Sequence, residues 1–286
     1  MHVEECSQAL LARWLPAIDE HRAGMCIDIG VGTFAFYCEL FSRLGFKTAA
    51  VEPLPIDHVR KFSRVYGIRL LETCISEIDG TQTIYIGTYD GKELFDVSSL
   101  KQDWWGSSGR SKQVQSMTVA TLLQTLSPER LTCVKIDVEG LEPVIIRQFA
   151  AIKNEWLPEI IVFEYGGGST KEEGKEGWSA EGVAGTLECL EVLKQRGYDF
   201  SVMLDSAAGT APRTFHLRTA LLNPDDIFFP KGVYGNLLCA RRAVLSETQL
   251  AEICNPYLDN AAAVPPLQLT ENVLTKTFRK VAMRLL

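Results

Sequence analysis

Two stretches of the chain carry residue types at spacings that could do chemistry. In the first, Asp28-Ile29-Gly30-Val31-Gly32 ends a short apolar run, and Glu52 stands 24 residues beyond Asp28. Glycines at such a turn let the backbone approach a ligand closely and adopt dihedrals that other residues resist. An acidic side chain at the end of the following strand can accept the two hydroxyls of a ribose. The second stretch is Lys135-Ile136-Asp137-Val138-Glu139-Gly140-Leu141-Glu142. By strand alternation Lys135, Asp137 and Glu139 share one face, while Val134, Ile136 and Val138 share the other. Three charges on a strand otherwise fit for burial are costly unless they pair or face a polar crevice. A site at the carboxyl end of that strand explains them, with Glu164 closing the apolar run Ile160-Ile161-Val162-Phe163 beside it.

The glycine turn admits two ligands. Gly30-Val31-Gly32-Thr33-Phe34-Ala35 fits the G-x-G-x-x-A form of the dinucleotide fingerprint, and Glu52 has the spacing that NAD would need. Asp28 separates the readings. A carboxylate just before the turn repels a pyrophosphate, yet it can pair with the amino group of a methionine moiety. S-adenosylmethionine is therefore favoured over NAD. An NAD-linked oxidoreductase and a cofactor-binding protein without catalysis stay open as alternatives.

The elements that must position these residues follow from periodicity. Leu10, Leu11, Trp14, Leu15 and Ile18 lie on one face of a leading helix over 7–20. Strands are expected at 26–29, 48–51 and 68–75, with helices over 34–44 and 56–66 between them. This βαβαβ winding demands parallel pairing, because the crossover helices must cover the sheet faces. From Gly80 to Leu100 the pattern becomes an antiparallel ribbon or insertion, and 101–113, with Trp104 and Trp105, reads as an exposed excursion able to cover a pocket. The two indoles are candidates for stacking on a sugar or ring and, equally, for anchoring the loop partly buried. A helix over 118–126 leads to the strand 133–138. The strand 160–163 is followed by a glycine- and charge-rich loop over 166–177, a helix over 186–196 and strands at 198–204 and 235–240, with 211–233 a long connection.

The expected architecture is thus α/β, a Rossmann-like, doubly wound, mostly parallel seven-stranded sheet with flanking helices, a β insertion and helical terminal extensions. The divisions are 1–24, a main domain over 25–245, and 246–286. Ser246-Glu247-Thr248-Gln249 can start a capped helix. Residues 270–286 set Lys276, Arg279, Lys280 and Arg284 among apolar residues. Such a basic amphipathic helix can lie on a membrane surface, dock on a partner or pack on its own protein.

Composition narrows the class. The chain has 286 residues, 46% of them apolar, which suffices for a continuous core, and its net charge of −7 disfavours nucleic acid as a partner. Eight cysteines without a C-x-x-C pair fit buried reduced thiols. The first residues lack a secretory pattern and no apolar run reaches the roughly 20 residues of a membrane span, so a cytoplasmic location is expected.

The run Lys135-Ile136-Asp137-Val138-Glu139-Gly140-x-Glu142 resembles the signature of the FkbM family of methyltransferases. The likeness extends over about residues 25–204 and takes in the glycine turn, Val51-Glu52-Pro53, Asp79-Gly80, Ser98-Ser99-Leu100 and the strand ending at Glu164. It implies a class I fold using S-adenosylmethionine and O-methylation of a hydroxyl on a sugar, glycolipid or polyketide-like metabolite, a small-molecule or glycan acceptor. Cys74-Ile75-Ser76 would then flank the adenine. The family's first turn usually reads Asp-x-Gly-Ala-Asn-x-Gly; here Gly32 takes the Asn place and Phe34-Ala35 falls where the third glycine belongs. Because an alcohol proton has a very high pKa, the acceptor needs a carboxylate or metal beside it. Asp137 is the leading candidate base, with Glu139, Glu142, Lys135 and Glu164 assisting. Asp137, Glu139 and Glu164 are also candidate oxygen ligands for a divalent cation. His58, on a predicted helix, is read as a solvated surface residue.

Overall fold

The computed structural model describes residues 1–104, 106–166, 179–230 and 232–259. Its first element, α1 (Val3–Ile18), buries Leu10, Leu11, Trp14 and Leu15 completely, the face that their helical spacing predicts. Then β1 (Met25–Ile29), α2 (Phe36–Arg43), β2 (Lys47–Val51), α3 (Asp57–Tyr66) and β3 (Arg69–Leu71) alternate, and the three strands pair in parallel. The strand expected over 68–75 divides in two. At Thr73 the backbone N–H turns back to the Leu71 carbonyl at 3.0 Å, so β4 (Cys74–Ile75) leaves the main sheet.

That short strand joins β5 (Gly80–Tyr89), β6 (Lys92–Glu93) and β7 (Ser107–Met117) in a four-stranded sheet of order β4-β7-β5-β6. The insertion is therefore present, but it is longer than its sequence pattern shows. Part of the stretch 101–113, expected as an exposed excursion, is strand β7. Residues 108–113 of β7 are exposed, so no alternation of apolar and polar residues marks them as a strand.

The main sheet resumes with α4 (Val119–Leu126), capped by the Thr118 hydroxyl, and β8 (Leu131–Ile136), whose six residues are all buried. There follow α5 (Glu142–Gln148), β9 (Ile160–Gly166), α6 (Ala180–Gln195), β10 (Phe200–Asp205), β11 (Arg213–His216), α7 (Pro224–Ile227) and β12 (Tyr234–Ala240). Last comes α8 (Glu247–Cys254), with the reciprocal Ser246/Gln249 capping box. Strand order is β3-β2-β1-β8-β9-β12-β10-β11. There are eight strands where seven were expected, because β11 forms inside the supposed long connection and pairs antiparallel with β10 at the edge. β12 runs antiparallel to both its neighbours, while β3, β2, β1, β8 and β9 are parallel.

Two cores follow. One packs Leu122, Ile145 and Leu190 of α4, α5 and α6 on one sheet face. On the opposite face Leu10 of α1, Phe41 of α2 and Leu250 of α8 meet Cys26, Cys133 and Val162 of the strands. The winding departs from β1 toward β2 and β3, then returns to β8 on β1's other side. A crevice therefore opens outside the carboxyl ends of β1 and β8, where open α/β sheets hold their ligands. Among the described residues no helix is long and apolar enough to cross a membrane. Trp105, most of the loop expected over 166–177 and the basic helix expected over 270–286 lie outside the described residues.

Candidate functional site

The crevice is built by backbone first. Gly30 N donates to Val51 O and Asp137 N to Ile29 O, both at 2.9 Å, so the tips of β1, β2 and β8 are tied together. At Gly30, φ is +81° and an added Cβ would stand 1.6 Å from the Asp137 carbonyl oxygen. At Gly32, φ is +63° and a Cβ would meet Asp96 Oδ1 at 2.7 Å. Only glycine satisfies both demands, which accounts for the Gly30-Val31-Gly32 spacing. Ala35 takes a left-handed φ of 54° immediately before α2. This is the conformation for which the usual third glycine is suited, and an alanine bears it at a cost of roughly 1–2 kcal/mol.

Above this turn lies a cavity of about 230 Å³. Its walls bring together Gly30, Val31, Gly32, Glu52, Pro53, Cys74 and Ile75 from the predicted cofactor set. Glu52 is buried, and each of its carboxylate oxygens accepts one backbone N–H, from Gly32 at 3.1 Å and from Leu54 at 2.8 Å. Remaining lone pairs can still accept hydroxyl protons from a ligand. Burial raises its pKa to about 7 against the lowering effect of those two bonds, with Asp96 and Asp28 adding to the rise. Cys74, Ile75 and Ile84 give an apolar wall beside it, of the kind that a purine face needs.

Two predicted cofactor residues are placed elsewhere. Ser76 is buried and its hydroxyl donates to Ile78 O at 2.8 Å, so it does not line the cavity. Asp28 lies behind the glycine turn, fully enclosed. The Cys38 thiol donates to its Oδ2 at 3.4 Å, and its Oδ1 has no hydrogen-bond partner and stands 3.9 Å from Lys135 Nζ. Its carboxylate is a buried counter-ion of Lys135, not a cavity ligand. Asp28 is the register partner of Lys135, and the Cys38 thiol of α2 together with the Lys135 ammonium covers its carboxylate. Burial pushes the Asp28 carboxyl up to about 6, with Lys135 opposing.

At the β8 tip the charges converge, but the strand ends at Ile136 where 138 was expected, and Asp137, Val138 and Glu139 all line the cavity from the turn beyond it, so alternation does not place them. Lys135 Nζ donates to Asp137 Oδ2 at 2.8 Å and rests 5.0 Å from the centre of the Tyr37 ring. Burial alone would lower its pKa, but Asp137, Asp28 and Glu4 outweigh that and raise it. Oxygen atoms of Asp137, Glu139 and Glu164 all lie within 4.8 Å of one another. Burial and mutual repulsion hold the Glu139 and Glu164 carboxyls well above the usual carboxylate range. Three oxygen donors at this separation suit a hard divalent cation, which would draw both carboxyls back toward ionisation.

Glu142 belongs to the loop, not the cavity. Its two oxygens accept the Val138 and Gly140 N–H groups at 2.8 and 3.0 Å at the start of α5, fixing the Glu139-Gly140 turn. Burial lifts its pKa to about 7. Glu139 has φ of 56° and Gly140 of 92°. A Cβ on Gly140 would stand 2.4 Å from the Trp104 ring, so the glycine gives the indole its place. Trp104 is buried and its Nε1 donates to Glu139 Oε2 at 2.6 Å. It is a buried anchor of its loop that holds a carboxylate, the second of the two roles the sequence left open, and not a stacking platform. A second cavity of about 330 Å³ lies on the other flank of this loop, lined by Trp104, Gly140, Glu142, Glu164 and Tyr165 among others.

Sequence reasoning missed Asp96, Glu4 and Tyr37. Asp96, in a 3-10 turn over Phe95–Val97, accepts the Thr33 N–H and the Thr33 hydroxyl and so clamps the glycine turn from the insertion. Nothing in the local pattern marks it, since its partner is 63 residues away. His58 is exposed on α3, as expected.

The family model described as "Methyltransferase FkbM domain" matches residues 23–200, more than half of the chain. No curated protein matches. Among solved structures, a candidate O-methyltransferase from Klebsiella pneumoniae is similar, at 13% identity and a TM-score of 0.39, covering 84% of this chain and 88% of that one. A second is Burkholderia thailandensis 1,6-didemethyltoxoflavin-N1-methyltransferase with its substrate and S-adenosylhomocysteine bound, at 9% identity, TM-score 0.34, covering 83% and 80%. A third is geranyl diphosphate methyltransferase in complex with SAM, at 9% identity, TM-score 0.38, covering 84% and 86%.

Proposed function

The chain belongs to the methyltransferase FkbM domain family, and we propose that it transfers the methyl group of S-adenosylmethionine to a hydroxyl oxygen of a sugar, glycolipid or polyketide-like small molecule. The observation that carries this reading is a cavity at the β1/β8 switch point lined by Glu52 after β2 and Asp137 after β8, with the glycine turn after β1 between those two strands. Lys135 is the single cation among its lining residues, against five carboxylates (Glu4, Glu52, Asp96, Asp137 and Glu139). Such a field suits a positively charged sulfonium and opposes the pyrophosphate that NAD would bring.

When bound, the sulfonium supplies an activated methyl carbon, whose bond to sulfur breaks as the acceptor oxygen attacks in line. The protein's part is mostly alignment. Glu52 holds the ribose, Pro53 and the Cys74-Ile75 wall flank the adenine, and the turn from Gly30 to Gly32 supports the middle of the donor. Asp137 receives the acceptor's hydroxyl proton, with Lys135 fixing its carboxylate and Glu139 and Glu164 beside it. Those three acids would also hold a divalent cation, which would orient the acceptor hydroxyl and assist loss of its proton. The unit spanning 25–245 carries the transfer, with α1 and α8 packed against it. Eight buried, unpaired cysteines suit a cytoplasmic, reducing setting.

The test is transfer of a radiolabelled methyl group from S-adenosylmethionine to a panel of hydroxylated sugars, glycolipids and polyketide alcohols, with and without a chelator. Label in an ether product supports the reading. Binding of the donor without transfer to any hydroxyl would replace it with the non-catalytic alternative.

A further inference from the structure

One wall of the cavity comes from outside the matched domain. Glu4, in the first turn of α1, lines the cavity together with Tyr37 of α2. Its Oε2 accepts the Tyr37 hydroxyl at 2.7 Å and its Oε1 accepts Asn236 Nδ2 at 2.8 Å. Asn236 also donates to Ser7 Oγ at 3.0 Å, so the start of α1 is tied to β12 through one amide. The His2 N–H to Tyr257 carbonyl bond, at 2.9 Å, holds the same helix start against the turn after α8. Glu4 is thus a carboxylate held by neutral donors at a fixed place, with lone pairs left over.

Position along the cavity gives that carboxylate a partner. If Glu52 takes the ribose, the apolar wall of Cys74, Ile75 and Ile84 lies to one side of it, toward β3 and the insertion. On the other side, past the β1 tip, stand Glu4, Tyr37, Lys135 and Asp137. A nucleoside with an amino-acid tail, laid across the glycine turn, brings its zwitterion to this second group. Asp28, which the sequence suggested for the ammonium, is walled off behind the turn. Asp137 Oδ2 accepts from Lys135 Nζ at 2.8 Å, and its other oxygen is the one that the proposed reaction gives to the acceptor hydroxyl.

We propose that Glu4 is the group that binds the α-ammonium of the methionine tail, so that α1 completes the donor site, and that Lys135 faces the tail's carboxylate. This rests on the reading of the cavity as a donor site, and it concerns binding, not the chemical step. Because Tyr37 and Asn236 can each bond an amide as well as a carboxylate, Glu4→Gln preserves the neighbours while removing the charge.

The experiment is titration calorimetry of wild type and Glu4→Gln with two ligands. S-adenosylhomocysteine carries the amino-acid tail and 5′-methylthioadenosine lacks it. The proposal expects Glu4→Gln to weaken S-adenosylhomocysteine by about ten- to a hundredfold, the range for one charge-assisted hydrogen bond, while 5′-methylthioadenosine stays within about twofold. Glu4→Asp, with its charge restored, should recover part of the loss. Equal weakening of both ligands, or none for either, overturns the assignment while leaving the donor site standing. Failure of the wild type to bind either ligand overturns the donor site itself, and this proposal with it.

Discussion

Lys135 Nζ donates to Asp137 Oδ2 at 2.8 Å while standing 3.9 Å from Asp28 Oδ1, so one buried ammonium lies between a carboxylate that faces the cavity and one that does not. The inner acid offsets part of the burial cost of the cation, and the cation fixes the outer acid where an acceptor hydroxyl would lie. Removing one partner of such a buried group typically costs about 3–5 kcal/mol, because the remaining charge is left uncompensated. The arrangement explains why a strand with buried flanks tolerates alternating charges at its tip.

Asp137→Asn keeps a hydrogen-bond acceptor for Lys135 and removes the base. It should lower the single-turnover rate of methyl transfer by about 10²- to 10⁴-fold. S-adenosylhomocysteine affinity, measured by calorimetry, should change little. Unchanged turnover would take Asp137 out of the mechanism.

Asp96→Ala removes both bonds to Thr33. Each bond contributes about 1 kcal/mol, and the glycine turn loses its clamp from the insertion. We expect roughly tenfold weaker S-adenosylhomocysteine binding, with Asp96→Asn intermediate because one acceptor remains. An Ala variant that binds as tightly as wild type would show that the clamp is idle in the bound state.

Burial raises the Glu52 and Glu142 carboxyls to about 7 and that of Asp28 to about 6, and it lifts Glu4, Glu139 and Glu164 as well. In this case the folded protein binds more protons than the unfolded chain between about pH 4 and 7. Each group's stabilisation is then fully present below its unfolded pKa and is lost as pH rises through its folded value, by at most about 1.4 kcal/mol per pH unit per group. The ligand-free protein should melt at higher temperature near pH 5 than near pH 7.5. Donor binding should run the other way, since a cation favours ionised acids. Calorimetry in buffers of different ionisation enthalpy should show proton release at pH 6.5 and tighter binding at pH 8. Proton uptake on binding would contradict this.

Much of the site was legible because it depends on local spacing. Gly30, Gly32 and Glu52 follow from the strand-turn-helix unit, and the charges of Lys135, Asp137 and Glu139 mark the tip of a buried strand, although the last two stand in the turn after Ile136 and not on the strand itself. Asp28 was misplaced because the Cys38 thiol of α2 and the Lys135 ammonium of β8 close over its carboxylate, contacts that the sequence of one strand does not contain. Asp96 and Glu4 were invisible because they reach the site through contacts 63 and 33 residues distant. β11 and most of β7 were hidden by exposure, since a strand without a buried face has no apolar alternation. Trp104 was visible as an aromatic but not as a wall, because its role depends on the bare Cα of Gly140 beneath it.

The central claim is that this cavity takes the methyl donor with Glu52 on its ribose. Titration of the purified protein with S-adenosylhomocysteine and, separately, NAD tests it most directly. The account predicts one-to-one binding of S-adenosylhomocysteine, weakened at least tenfold in Glu52→Ala, and no binding of NAD. Absence of heat with S-adenosylhomocysteine, or saturable binding of NAD in its place, would contradict it.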